Sequence, residues 1–247
     1  MSPLGVFDLD GTLLHSAPDI AAALNRVLAS AGLAPFALPE VQAMIGDGAR
    51  VLVERALAAR GQPFDPAIHA AFVADKDISA ARLTRPYDGI EAVLDELAAA
   101  GWRLAVCTNK PAGPARSLLD SLGFTGRFAA VAGGDSFPTR KPDPAHLLGT
   151  VAMAGGDPAR AVMIGDHRND VAAACGAGLP VVFAGWGYGA RAMAEGAPVA
   201  GTPAELPALL RRLRAGWLGP HQHSGRGAEQ AGGDFNANRD GRRAGEG

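Results

Sequence analysis

The sequence predicts an α/β protein: a parallel sheet covered by helices on both faces, with a block of helices inserted near the N-terminus. Three observations carry that prediction. Short apolar runs at residues 4–9, 103–107, 161–164 and 181–184 are separated by stretches with helical spacing, an alternation that builds parallel strands joined by crossover helices. Residues 15–85 hold helical patterns without an intervening strand. The acidic and polar residues of interest fall just after the apolar runs, where open parallel sheets bind their ligands.

Leu4, Val6, Phe7 and Leu9 form the first strand, and Gly11 ends it. Residues 19–31 carry Ile20, Leu24, Val27 and Leu28 at helical spacing, stopped by Gly32. A loop with two prolines covers 33–39, and a short helix 40–45 is broken by Gly46-Asp47-Gly48. Residues 49–60 and 66–83 read as two further amphipathic helices. Beyond Pro86 come a helix with Ile90, Val93, Leu94 and Leu97, a strand at 103–107, a helix at 114–122 and a weak strand at 128–132. Asp143-Pro144 is an N-cap with a first-turn proline, opening a helix through Leu147 and Val151. A strand at 161–164, a short helix at 170–175, a strand at 181–184 and a helix at 204–214 complete the pattern. The domain organisation expected is therefore a core of residues 1–14 and 86–218, a helical insertion at 15–85, and a tail at 219–247. The tail is too poor in apolar residues to offset its ordering entropy. Its His221 and His223 have no third metal ligand nearby.

The composition narrows the function classes. With 247 residues, 48% of them hydrophobic, the chain is long enough for a large core plus an insertion. A net charge of −2 argues against nucleic-acid and membrane-surface partners. No apolar run reaches the roughly 20 residues of a membrane span, and the N-terminus lacks a signal-peptide pattern. Cys107 and Cys175 read as small core residues in a reducing compartment, so the expected location is the cytoplasm.

Asp8 and Asp10 stand two apart where the first strand ends in Gly11. At spacing two their side chains leave one face, and a turn between them would let both converge on a point. One carboxylate can attack an electrophile and a second can move protons. Three later stretches also end strands. Thr108-Asn109-Lys110 offers a hydroxyl and an amide suited to phosphate oxygens. Lys141, between Arg140 and Pro142, precedes a helix start and supplies positive charge. Gly165-Asp166 is followed four residues later by Asp170.

Taken together, Asp8-Leu9-Asp10-Gly11-Thr12-Leu13, Thr108, Lys141 and Gly165-Asp166 with Asp170 resemble the four motifs of the haloacid dehalogenase-like hydrolases. The resemblance covers residues 4 to about 217 and implies a Rossmann-like three-layer core with a helical cap. It implies Asp8 as nucleophile, Asp10 as general acid and base, and Thr108 and Lys141 on the transferred phosphoryl group. It also implies a Mg²⁺ site made by Asp8, Asp166 and the main-chain carbonyl of Asp10, with Asp170 acting through water or on its neighbours. Within the family, His15 to Ile20, Ile45 to Ala49, Thr108 to Pro111 and Gly185 to Gly189 are similar to phosphoglycolate phosphatases. His15 and His167 depart from that pattern, which commonly has Asp and Ser there. The expected substrate is a small phosphorylated metabolite, 2-phosphoglycolate first, handled by a monomer or homodimer. Thr108, Asn109, Lys141, Gly48 and Arg50 are the expected substrate contacts, with Arg50 and the backbone at Gly48 reading the substrate carboxylate. A sugar-phosphate phosphatase or mutase uses the same core. A dehalogenase lacks the second acid, and a non-catalytic binder would have lost a motif.

Overall fold

The computed structural model describes residues 2–217. The expected tail at 219–247 lies outside them. Six strands form one parallel sheet: β1 (Leu4–Phe7), β4 (Arg103–Cys107), β5 (Ala130–Ala132), β6 (Ala161–Gly165), β7 (Val181–Ala184) and β8 (Val199–Ala200). Their spatial order is β5-β4-β1-β6-β7-β8. The chain runs outward from β1 to one edge, then returns to β6 and runs to the other edge. The sheet therefore has its switch point between β1 and β6, whose register pairs Phe7 with Ile164. The C-terminal ends of these two strands are where a crevice for a ligand opens.

Residues alternate across the sheet, so β1 feeds two cores. Phe7 packs with Ile90, Leu94 and Leu97 of α5 (Ile90–Ala99), Leu118 of α6 (Ala112–Ser121), and Leu206 and Leu210 of α9 (Leu206–Trp217). Leu4 and Val6 face the other side with Leu147 and Val151 of α7 (Pro144–Met153) and Val171 of α8 (Arg168–Ala177). The result is helix, sheet, helix. Asp143 caps α7 by accepting from the Ala145 N–H, as its Asp-Pro start predicts.

The helical insertion has an apolar cluster of its own. It is built by α1 (Ala17–Ser30), α2 (Leu38–Gln42), α3 (Ala49–Ala59) and α4 (Pro66–Val73), with Leu24, Leu28, Val41, Val53 and Leu57 fully or nearly fully buried. Two short strands that the sequence patterns did not predict, β2 (Leu14–His15) and β3 (Arg85–Pro86), pair antiparallel at its base. At two residues each they are too short for periodicity to register. Asp19 also joins the two ends of the insertion, accepting from the Leu83 and Thr84 N–H groups and the Thr84 hydroxyl.

Several expectations need correction. The helix expected over 66–83 stops at Val73. Asp75 then caps a 3₁₀ turn at Lys76–Ser79 and pairs with Arg26, a local competitor that the apolar spacing does not reveal. The edge strand β8 went unrecognised, because two residues after a proline carry no alternation. Cys107 is buried as expected, but Cys175 is exposed and no core residue. Among the described residues no helix is long and apolar enough to cross a membrane.

Candidate active site

The switch point gathers the acids. The Asp8 N–H donates to the Ile164 carbonyl at 2.8 Å, which extends the β1–β6 pairing one residue beyond the strand. Asp8 after β1 and Asp166 after β6 thereby face each other. Asp170 comes in from the first turn of α8, where it accepts from the His167 N–H. Oxygen atoms of Asp8, Asp166 and Asp170 lie within 4.8 Å of one another, and all three residues are buried. Lys141 sits behind them, 2.6 Å from Asp170 Oδ1 and 3.0 Å from Asp8 Oδ1. The contact with Asp8 has ion-pair distance without hydrogen-bond geometry, and Asp8 Oδ1 is left buried without a hydrogen-bond partner.

Crowding on this scale has electrostatic consequences. Burial pushes the Asp166 carboxyl up to about 8, and the neighbouring charges of Asp8 and Asp170 add to the effect. Burial likewise raises Asp8 to about 6, against the pull of Lys141. For Lys141, burial opposes the charge, but Asp170 and Asp8 outweigh it and raise the ammonium above its ordinary value. Three carboxylates facing one ammonium leave a negative excess. The donors are all oxygen, and one buried oxygen lacks a partner. That is the chemistry a divalent, oxygen-seeking cation satisfies, so the residues present fit such an ion.

Asp10 turns the other way. Its carboxylate accepts from Ser16 Oγ at 2.6 Å and pairs with Lys110 Nζ at 3.1 Å. It therefore lines a cavity between sheet and helical insertion, which Asp8 also lines, rather than joining the acid trio. Thr108, Asn109 and Lys110 line the same cavity from the end of β4, while Ile45, Gly46, Gly48 and Leu52 line it from the insertion. The Thr108 N–H is committed to the Ala132 carbonyl, so what Thr108 has left to offer a ligand is its hydroxyl.

This arrangement has known counterparts. Residues 5–178 match the family model for haloacid dehalogenase-like hydrolases. The chain belongs to the haloacid dehalogenase-like hydrolases. A phosphoglycolate phosphatase of Cereibacter sphaeroides is 45% identical over 222 residues, covering 85% of this chain and 98% of that protein. A predicted phosphoglycolate phosphatase from Haemophilus somnus superposes with a TM-score of 0.76 at 30% identity, covering 84% of this chain and 97% of the other. CbbY from Rhodobacter sphaeroides, solved in complex with phosphate, gives a TM-score of 0.72 at 26% identity, covering 83% and 96%.

Within this hydrolase the expected site residues divide. Asp8, Lys141, Asp166 and Asp170 converge. Asp10, Thr108 and Gly48 line the adjoining cavity. Asn109 reaches the site, but its amide nitrogen is spent on the carbonyls of Gly46 and Lys141. That makes it a tie between core and insertion. Arg50 is not brought in. It is exposed, with its guanidinium stacked 4.5 Å over the Phe64 ring. The helical phase of α3 directs Leu52 to the cavity and Arg50 away from it. Asp47 pairs with Arg55 and accepts from Asn169 Nδ2.

The two departures from the family pattern are structural. His15 contacts the Tyr188 hydroxyl at 3.3 Å and packs by Tyr87. His167 caps α8 by accepting from the Asn169 N–H, and its ring lies against Gly46, where an added Cβ would come within 2.6 Å. Burial lowers its pKa and favours the neutral ring, which the capping role requires.

Sequence reasoning quoted Lys110, Thr12, Ser16 and Tyr188 within its motifs but gave none of them a role. The Thr12 hydroxyl donates to Asp166 Oδ1 at 2.9 Å, and the Tyr188 N–H donates to Asp166 Oδ2 at 2.8 Å. The stretch from Gly185 to Gly189 straps over Asp166 so closely that a Cβ at Gly187 would lie 2.3 Å from Asp166 Cβ. Gly11 makes a similar approach from the other side with φ at +93°, a conformation few other residues adopt. The glycine spacing was the available signal, but what the glycines enclose was not visible in it.

Proposed function

We propose that this hydrolase cleaves 2-phosphoglycolate to glycolate and phosphate, using Mg²⁺ and an aspartyl-phosphate on Asp8. The observation that carries the substrate is the 45% identity, over nearly its whole length, to a phosphoglycolate phosphatase. The buried trio of acids supports the chemistry. Asp8 and Asp166, with Asp170 beside them and the Asp10 main-chain carbonyl, would hold the ion. Bound there, Mg²⁺ would offset phosphate charge and let a carboxylate approach phosphorus.

The protein's own groups do the rest. The free oxygen of Asp8 attacks phosphorus as the bond from phosphorus to the ester oxygen breaks. Lys141 holds Asp8 in place and balances charge as the phosphoryl group transfers. The Thr108 hydroxyl donates to a phosphoryl oxygen. Asp10 gives its proton to the departing glycolate oxygen, then takes one from the water that releases phosphate and regenerates Asp8. Residues 15–85 act as a cap, with Gly46 held against the core by Asn109 and Asn169. Closure keeps bulk water from the acyl phosphate. Both cysteines are free thiols, in keeping with a cytoplasmic enzyme.

The test is kcat/KM over a panel of phosphate monoesters. The expected result is highest efficiency on 2-phosphoglycolate, with phosphate released. Preference for a larger sugar phosphate overturns the substrate, and an isomeric phosphate without release of phosphate identifies a mutase.

A further inference from the structure

We infer that Lys110 is the residue that reads the substrate's carboxylate, an inference that rests on the substrate assignment above. 2-Phosphoglycolate offers one handle besides its phosphate, and the cavity must meet that anion with a donor. Among the described residues, Lys110 is the only cationic one that lines the cavity. Lys141 is enclosed between Asp8 and Asp170, and Arg50 faces away over Phe64. The wall opposite the acids is apolar, made by Ile20, Ile45, Leu52, Phe72 and Ile78. Such a wall holds no charge that could pair with a carboxylate.

Position agrees with charge. In 2-phosphoglycolate a single carbon separates the ester oxygen from the carboxylate. Asp10 serves the ester oxygen in the mechanism above, and Lys110 Nζ lies 3.1 and 3.2 Å from the two Asp10 oxygens. The ammonium is therefore beside the point the substrate carboxylate must reach. Lysine carries three donors, so one can turn to the substrate while Asp10 keeps another. The side chain is only 6% exposed, and a charge-assisted contact there is little screened. The backbone is fixed as well: the Lys110 N–H donates to Thr108 Oγ1, and its carbonyl accepts from the Gly134 N–H. The ammonium is thus presented from the rigid end of a core strand rather than from the insertion.

A lysine that merely balances Asp10 would affect every substrate alike, and that difference makes the test. Lys110→Met is compared with wild type, as full-length Mg²⁺-loaded enzyme, on 2-phosphoglycolate and on ethyl phosphate, in which a methyl group replaces the carboxylate. The expected result is a fall of about 30-fold or more in the kcat/KM ratio of the first substrate to the second, with KM for 2-phosphoglycolate raised. Should the Met variant not fold, Lys110→Gln, which keeps a donor for Asp10, is read in the same way. An unchanged ratio, whether both activities fall or neither does, overturns the inference. A wild type without preference for 2-phosphoglycolate removes the substrate assignment and this inference together. A preference that survives in the variant removes the inference alone.

Discussion

Asp166 makes the strongest quantitative claim on this site. Its carboxyl is raised from 3.8 to about 8 in the folded protein. A group whose pKa is raised on folding lends its full stability below the unfolded value, and that stability is lost as pH climbs to the folded value. Asp8, raised to about 6, adds its own loss between about pH 4 and 6. From pH 6 to 8 Asp166 acts alone among the raised carboxyls. At 1.36 kcal/mol per unit, and half ionised by pH 8, Asp166 should cost protein stripped of metal about 2 kcal/mol over that interval. Asp166→Asn removes the titration and keeps the shape. Its Oδ1 can still accept from the Tyr188 N–H while its amide donates to Thr12 Oγ1, whose hydroxyl hydrogen turns away. His146 and His167 have lowered pKa values through burial and shift stability with the opposite sign, so the difference between wild type and variant is the quantity to follow. The assay is urea unfolding of both proteins in excess chelator at pH 6 and pH 8. The variant should gain on wild type by about 2 kcal/mol between the two pH values. Added Mg²⁺ should restore wild type at pH 8 by binding only the native state, and should leave the variant unchanged. A difference that does not move with pH would refute the account of Asp166 as a carboxyl held up by burial and crowding.

Two further substitutions bear on the site. Asp8→Asn should fold, with Lys141 still paired to Asp170, and should lose about 10³-fold or more in kcat because the amide is no nucleophile; turnover within tenfold of wild type would remove Asp8 from that role. Arg50→Ala should change kcat/KM on 2-phosphoglycolate by less than about twofold, since losing an exposed cation–π contact costs about 0.5–1 kcal/mol of stability and touches no cavity atom; a selective tenfold loss on that substrate would return Arg50 to the site.

The sequence by itself determined the fold class and the nucleus of the site. Apolar runs of four or five residues at β1, β4 and β6 are unambiguous because burial on both faces of a parallel sheet forbids polar interruptions. Asp8, Thr108 and Asp166 directly follow such runs, so they could be placed at strand ends without coordinates. Helix stops at Gly32, Gly61 and Gly101 were legible for the same local reason. Each sits at positive φ just past its helix. What local pattern does not encode is direction. Asp10 and Asp8 share a strand end, yet one meets Lys110 and the other Lys141, because the chain leaves β1 after Phe7 and bends at Leu9 between them. Arg50 is two residues from the cavity-lining Gly48, and one helical phase sends it to solvent. Lys110 gains its place from a partner 100 positions away, and the Gly185 to Gly189 strap gains its place from Asp166. Strand-end chemistry is written in neighbours along the chain. Which cation faces the cavity and which acids converge depend on how β1, β4 and β6 lie side by side and how the insertion folds over them, and only the tertiary structure decided that.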